Sequence, residues 1–392
     1  MLPAPSPDAL AHSRRVAAHL RALIEDTGGW IPFARFMEAA LYAPGLGYYA
    51  AGAMKFGAAG DFVTAPEMTP LFGRTLAHAI APVLAETGGE VLELGAGSGR
   101  LAADLLGELE RLGALPARYL ILEVSADLRE RQRETIARVL PQLAERVRWL
   151  DAPPVHFSGV VLGNEVLDAL PVELVHWTTD VPLVRGVTLD GGAFAWQDRS
   201  IDDPVLRARA EALNLAPGYL TEINLAADAL IASLAESLEH GLILMIDYGF
   251  VAAEYYHPQR HMGTLRAHVR HHALDDPFYL PGLCDLTAHV DFSAVARAGM
   301  AAGLELAGYT SQAGFLLNSG LAELLMQTPP TDAAAYLPQA NAVQRLVSPA
   351  EMGELFKVIG LAKGGIAPLA GFARGGRRHT LPDWKHNLES AD

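Results

Sequence analysis

The chain has 392 residues, with 30 Lys and Arg against 45 Asp and Glu and a formal net charge of −15, a balance that excludes a protein whose affinity rests on neutralising phosphates. At 51% hydrophobic and 19% charged residues it is too apolar for disorder and long enough to bury a large core, and no run of about 18 residues is apolar enough to span a membrane. A single cysteine, Cys284, excludes an intrachain disulfide and any multi-thiolate metal site. The first residues lack the apolar core of a secretory signal. Arg14, Arg15 and scattered alanines are features of a mitochondrial leader, but Asp8 and the shortness of the segment argue against one, so a cytoplasmic chain is expected.

Residues 8–26 place Leu10, Val16, Leu20, Leu23 and Ile24 near one helical face, with Gly28 and Gly29 as the stop. A second helix is predicted from Pro32 to Tyr42, ended by Pro44 and Gly45. Residues 46–70 are irregular and punctuated by glycine, long enough for a functional loop. Thr69 and Pro70 read as the cap and first turn of a helix through Thr87. From Glu90 strand, turn and helix alternate, as in a parallel sheet covered on both faces. Strands are predicted at 90–95, 117–125, 146–150, within 158–172, and at 241–249, 304–310 and 356–364. Helices are predicted over 126–140, 222–239, 291–303, 312–326 and 331–347. Residues 172–197 read as a short antiparallel meander turning at Asp190, Gly191 and Gly192. Residues 250–291 hold six histidines without a clear period and read as a long insertion. The expected fold class is α/β, with a helical N-terminal region at 1–75 and a sheet domain at 76–392 carrying insertions at 172–220 and 250–291.

The segment EVLELGAGSGRLA sets Gly95, Ala96, Gly97 and Gly99 between a strand and a helix, where a ligand must approach the backbone closely. Arg100 stands where the dinucleotide fingerprint needs its last glycine. With Glu93 two residues before the first glycine, the pattern favours S-adenosylmethionine over NAD, although a tight turn alone would ask for similar glycines. Glu123 ends the second strand, with Val124 beside it. An acid there accepts hydrogen bonds from both hydroxyls of a ribose, and a solvated strand end is the competing reading. The fourth strand runs into Asn164, Glu165 and Asp168 at the carboxyl edge of the sheet, where such sheets place ligands. Asn164 is suited to orient cofactor or substrate. Glu165 and Asp168, three apart, present two carboxylates if a helix begins there; capping alone would explain Asn164 or Asp168 singly. The spacings of His257, His261, His268, His271, His272 and His289 match no zinc arrangement, and no metal is expected. Gly263, Thr264 and Leu265 read as a substrate-side lid.

The segments IPFARFMEAALYAPGLGYYA, GDFVTAPEMTPLFG, VLELGAGSGRLA, GNEVLDALPVE, IDYGF, HPQRHMGTLRAHVRHH, DLTAHVDFS and EMGELFKVIGLAKG resemble the MidA-type methyltransferase family, in order and over nearly the whole chain. GDFVTAPE together with GNEVLDALP is more distinctive than the glycine motif. The resemblance implies a class I, Rossmann-like methyltransferase fold with a seven-stranded, mostly parallel sheet, and S-adenosylmethionine as cofactor. It implies symmetric dimethylation of a protein arginine, which in the mitochondrial branch lies on a subunit of respiratory complex I. By position it assigns Glu93, Gly95, Gly97 and Gly99 to the cofactor loop, and Gly60, Asp61 and Thr64 to a loop closing over the cofactor. Ser311 stands where relatives usually have threonine, without consequence for the chemistry. An arginine acceptor needs anionic partners, for which Glu165 is the first choice and Asp168 the second. The expected partner is a protein carrying the target arginine, not a nucleic acid. Two other readings stay open: methylation of a small molecule, and an assembly chaperone that binds the cofactor with little catalysis.

Overall fold

A computed structural model of the chain describes residues 5–51, 64–269 and 272–381. The apolar runs pair into one central sheet in the order Glu305–Ser311, Phe356–Lys363, Leu238–Phe250, Phe157–Asn164, Glu90–Leu94, Tyr119–Leu122, Val147–Leu150. The five strands from Leu238–Phe250 onward are parallel, and the two C-terminal strands join antiparallel. An eighth strand, the two residues Val290–Asp291, lies against the end of Leu238–Phe250, so the sheet has eight strands where seven were expected. Strand order reverses between Glu90–Leu94 and Phe157–Asn164, and an open parallel sheet leaves a crevice at the carboxyl ends of such a pair.

Both faces of this sheet are covered, which is why its middle strands are continuous apolar runs instead of alternating ones. Pro70–Thr87 and Arg100–Arg111 pack on one face, and Leu225–Ser237 and Phe292–Ala301 on the other. The Pro70–Thr87 helix starts and stops as its sequence dictates. Thr69 accepts a hydrogen bond from the Leu71 N–H at 3.2 Å, and Gly88 takes the left-handed conformation at φ 59° that closes the last turn.

A second, antiparallel sheet holds Trp30–Pro32, Glu173–Trp177, Pro182–Asp190, Ala193–Ser200 and Leu220–Ile223. The expected meander is its middle. Pro32 ends a short strand and caps the Phe33–Tyr42 helix instead of opening it. The helix Pro204–Leu213 was not predicted, although Asp203 accepts from the N–H groups of Val205 and Leu206 at its start and Pro204 is its first residue. The helix expected over 312–326 breaks into Gln312–Asn318 and Leu321–Leu325 at Gly320, whose φ is 93°. The N-terminal helices share a core with this sheet and the insertion, through Phe33, Phe36, Leu174, Val187, Ala267 and Leu286.

The insertion is ordered by one buried acid. Its strand Arg266–Val269 pairs with His272–Leu274 and Asp285–Thr287. Glu222, 2% exposed, accepts from the N–H groups of Thr264 and Leu265, each at 2.8 Å, on one oxygen. Its other oxygen accepts from the hydroxyls of Tyr255, Thr264 and Thr221. Gly263, at φ 74°, leaves no room for a Cβ against that carboxylate. Residues 263–265, expected as a lid, are therefore a pinned corner. Replacing Glu222 by Ala strands several buried donors, each worth about 1–3 kcal/mol when left unmade. Urea denaturation of Glu222→Ala is expected to show a loss of at least about 3 kcal/mol, since several such donors are stranded together.

Candidate functional site

At the crevice the carboxyl ends of three central strands and the N-terminal region enclose a cavity of ≈ 360 Å³. Register places its walls. Leu94 lies beside Leu122 on one neighbour and Gly163 on the other, so the residues that follow each strand converge. Gly95, Ala96 and Gly97 line the cavity, with Glu93, Glu123, Val124, Asn164, Glu165, Asp168 and Thr64. Gly60 and Asp61 lie outside the described residues.

Gly95 and Gly97 have φ of 59° and 54°, a region that favours glycine, and nothing lies within 4 Å of where a Cβ on Gly97 would stand. Gly99 has a different task. It is off the cavity wall, and a Cβ on it would stand 2.9 Å from the Gln132 backbone, so it allows the loop to meet the following helix. Gln132 ties this half together. Its amide nitrogen donates to the Gly97 carbonyl at 3.1 Å and to Glu123 at 3.0 Å, while its oxygen accepts from the Trp149 indole at 2.8 Å. Glu123 also accepts from the Ser125 N–H. It is 4% exposed, and burial raises its pKa. Val124, by contrast, is 72% exposed, an apolar side chain beside that acid at the cavity edge. Glu93 is buried and accepts from the Tyr119 hydroxyl at 2.8 Å; burial pushes it up to about 7.

The segment after Asn164 is not a helix. Glu165 has φ 53°, outside the helical region, and residues 165–170 form a turn. This corrects the expectation that helical spacing presents Glu165 and Asp168. What holds the turn is Asp247 on the neighbouring strand. One of its oxygens accepts from the N–H groups of Val166, Leu167 and Asp168 at 2.8–3.2 Å, and the other from Tyr248. Glu165 keeps part of its surface exposed to the cavity, accepts from the Asn164 amide at 3.2 Å, and is pushed up to about 8 by burial and by Asp168 nearby. Asp168 is raised by burial to about 6 against a hydrogen bond from Tyr248. Its Oδ1 and the Asn164 Oδ1 are buried without a hydrogen-bond partner among the described residues.

The remaining wall was not singled out in the sequence. Tyr42, Tyr48, Tyr49 and Asp285 line the cavity, with Tyr42 stacked on Tyr49 at 5.5 Å between ring centroids. Tyr42 donates to the Ala169 carbonyl at 2.9 Å, and Tyr49 to both oxygens of Asp285. The chain reaches this wall by folding back on its helix: the N–H groups of Tyr48 and Tyr49 donate to the carbonyls of Ala40 and Leu41. The signal available was GLGYYA, a glycine followed by paired aromatics. Asp285 opens the segment DLTAHVDFS, but no period in the insertion marks it as a wall residue. Glu67 also lines the cavity and accepts from Ser98. Six carboxylates thus line a cavity whose Arg100 is engaged by Asp104 at 2.8 Å.

Residues 75–310 match the family model "Putative S-adenosyl-L-methionine-dependent methyltransferase". A crystal structure of a superfamily member from Burkholderia thailandensis bound to S-adenosyl-homocysteine is 53% identical, with TM-score 0.94, and the match covers 97% of this chain and 100% of that one. A curated relative in Drosophila melanogaster, named protein arginine methyltransferase NDUFAF7 homolog, mitochondrial, is 30% identical over 91% of this chain and 88% of its own length. The Homo sapiens protein arginine methyltransferase NDUFAF7, mitochondrial, is 28% identical over 88% of this chain and 82% of its own.

The raised carboxyls have a consequence for stability. Glu165 moves from 4.5 to about 8 on folding. A carboxyl raised this way holds its proton more tightly when folded, so its contribution is complete below 4.5 and lost as pH climbs through about 8. Ligand-free stability is expected to fall as pH rises, by up to about 1.4 kcal/mol per pH unit for one such group. Thermal unfolding of Glu165→Gln across pH should show the upper part of that slope flattened.

Proposed function

Because the chain belongs to the MidA-type family of S-adenosyl-L-methionine-dependent methyltransferases, we propose that it methylates a guanidinium nitrogen of a protein arginine. S-adenosylmethionine supplies, when bound, an electrophilic methyl group on a cationic sulfur. The residues present fit that cofactor. The Gly95–Gly97 turn lets a ligand approach the backbone, and Glu123, oriented by Gln132 and the Ser125 N–H, offers carboxylate lone pairs to a ribose diol. Thr64 and the helix that follows it close the wall from the N-terminal side. In this reading residues 1–75 cover the cofactor and 76–392 carry the transfer.

The observation that carries the acceptor assignment is the pair Glu165 and Asp168. Both line the cavity, both are raised by burial, and no cation pairs with either among the described residues. Burying carboxyls without a positive partner is unfavourable, and a guanidinium supplies one with donors for both. Glu165 holds the cation, and the Asp168 Oδ1, lacking a partner, takes the proton that the nitrogen loses as its bond to carbon forms. Positioning and charge compensation then provide most of the rate. The names of the curated relatives support arginine as acceptor; symmetric dimethylation, with a respiratory complex I subunit as candidate target, follows from the family resemblance.

Mass spectrometry of proteins and metabolites from cells with and without the gene separates the readings. A lost dimethylarginine supports the proposal, a lost metabolite methylation sinks it in favour of a small acceptor, and no change points to an assembly chaperone. Glu165→Gln is expected to lower turnover about a hundredfold, the loss typical of one transition-state contact. Calorimetry should find its cofactor affinity within about 0.5 kcal/mol of the parent, whereas Glu123→Ala weakens that affinity by roughly 1–3 kcal/mol.

A further inference from the structure

We infer that a second cavity, beside the antiparallel strands Glu305–Ser311 and Phe356–Lys363, is a binding site for a small aliphatic carboxylate held by Lys357 and Tyr309. The cavity measures ≈ 410 Å³ and shares no lining residue with the cofactor crevice. Lys357, Tyr309, Val251, Gly375 and Gly376 line it together with Glu254. The register sets Lys357 opposite Ser311 and Ile359 opposite Tyr309. Lys357 and Tyr309 are therefore diagonal neighbours on one face of the strand pair, close enough for long side chains to serve the same ligand.

Both residues are buried without the partner their chemistry asks for. Lys357 is 6% exposed and Tyr309 1%. The Lys357 ammonium donates to the backbone carbonyls of Glu354 and, at 3.5 Å, Leu355, and no carboxylate pairs with it among the described residues. The nearest acid in sequence is taken, since Glu354 is held by Arg377 at 2.8 and 3.0 Å. Burial lowers the Lys357 pKa, with Glu354 and Glu254 pulling against it from a distance. The Tyr309 hydroxyl makes no hydrogen bond among the described residues. A buried ammonium without an anion and a buried phenol without an acceptor are both costly. One carboxylate answers both, with an oxygen for each donor. A neutral amide leaves the ammonium uncompensated. A phosphate dianion brings one charge too many beside Glu254 and Glu354, so the site selects a single negative charge. Val251 and the Tyr309 ring offer apolar surface to the rest of such a ligand.

The far wall is built, not loosely draped. The Arg377 N–H donates to the Tyr309 carbonyl at 2.7 Å, and the Thr310 hydroxyl to the Gly375 carbonyl at 3.0 Å. The Asn318 amide donates to the carbonyls of Gly371 and Arg374 at 3.1 and 2.8 Å. Phe372 packs on both strands where they carry glycine: a Cβ on Gly308 or Gly360 would stand 2.1 or 2.9 Å from its ring.

The test uses the full chain saturated with S-adenosyl-homocysteine, titrated with propionate, inorganic phosphate or propionamide and followed by NMR at the Gly375 and Gly376 amides. Propionate should saturate there, phosphate should bind at least about tenfold more weakly, and propionamide should not bind. Lys357→Met removes the charge at similar volume and should weaken propionate on the order of tenfold or more, as for loss of a charge-assisted pair. Tyr309→Phe should weaken it about threefold to tenfold, the range for one hydrogen bond. Both variants should keep the parent's S-adenosyl-homocysteine affinity. Failure of propionate to saturate, or parent-like propionate binding by Lys357→Met, overturns the site. Phosphate binding more tightly than propionate overturns the carboxylate assignment. If Lys357→Met does not fold, Tyr309→Phe decides, and parent-like binding by that variant overturns the site.

Discussion

Asp247 accepts the N–H groups of Val166, Leu167 and Asp168 on one oxygen and that of Tyr248 on the other, so a side chain of one strand shapes the turn leaving its neighbour. The register brings Ile246 beside Asn164, and the Glu165 N–H donates to the Ile246 carbonyl at 2.9 Å. Past that bond the ladder ends and Asp247 takes over. A non-glycine residue at φ 53° costs of order 1–3 kcal/mol and persists where its surroundings over-determine it. Burial beside Asp168 and Glu165 pushes the Asp247 carboxyl up, and the N–H donors pull it back. The positions of Glu165 and Asp168 follow from the turn that Asp247 holds.

The cavity concentrates negative charge in a protein already at −15. One buried acid outside the crevice is neutralised by cations. Glu108 is paired with Arg74, His78 and Arg111 and held down to about 2. At the crevice this is not done, and Glu93, Glu165 and Asp168 are all raised. A cofactor with a sulfonium centre brings positive charge to the site, and binding it also relieves a cost that folding leaves in place.

Much of this was legible in the sequence because it rests on local pattern. Continuous apolar strands, Thr69 as a cap and glycines at a strand–helix turn each have a nearby physical cause, and Glu123, Glu165 and Asp168 were found by their place at strand ends. The role of Gly99 was not, because its partner Gln132 lies 33 residues further on. Asp247 reads as one polar residue in a buried strand, and only the register shows that it faces a turn 80 residues earlier. The insertion hid Asp285 for a related reason. Its order comes from Glu222, outside the insertion, and not from any periodicity of its own.

The bond from Tyr42 to the Ala169 carbonyl joins the N-terminal region to the turn that follows the Phe157–Asn164 strand. The stretch matched by the family begins at residue 75, and the tyrosines that complete the cavity precede it. A fragment cut at that boundary would inherit the glycine turn and the strand-end acids but would open the cavity to water on the side where Tyr42 and Tyr49 stand. Grafting would work the other way. The tyrosine wall can be exchanged between relatives while the glycine turn and the strand-end acids stay in place.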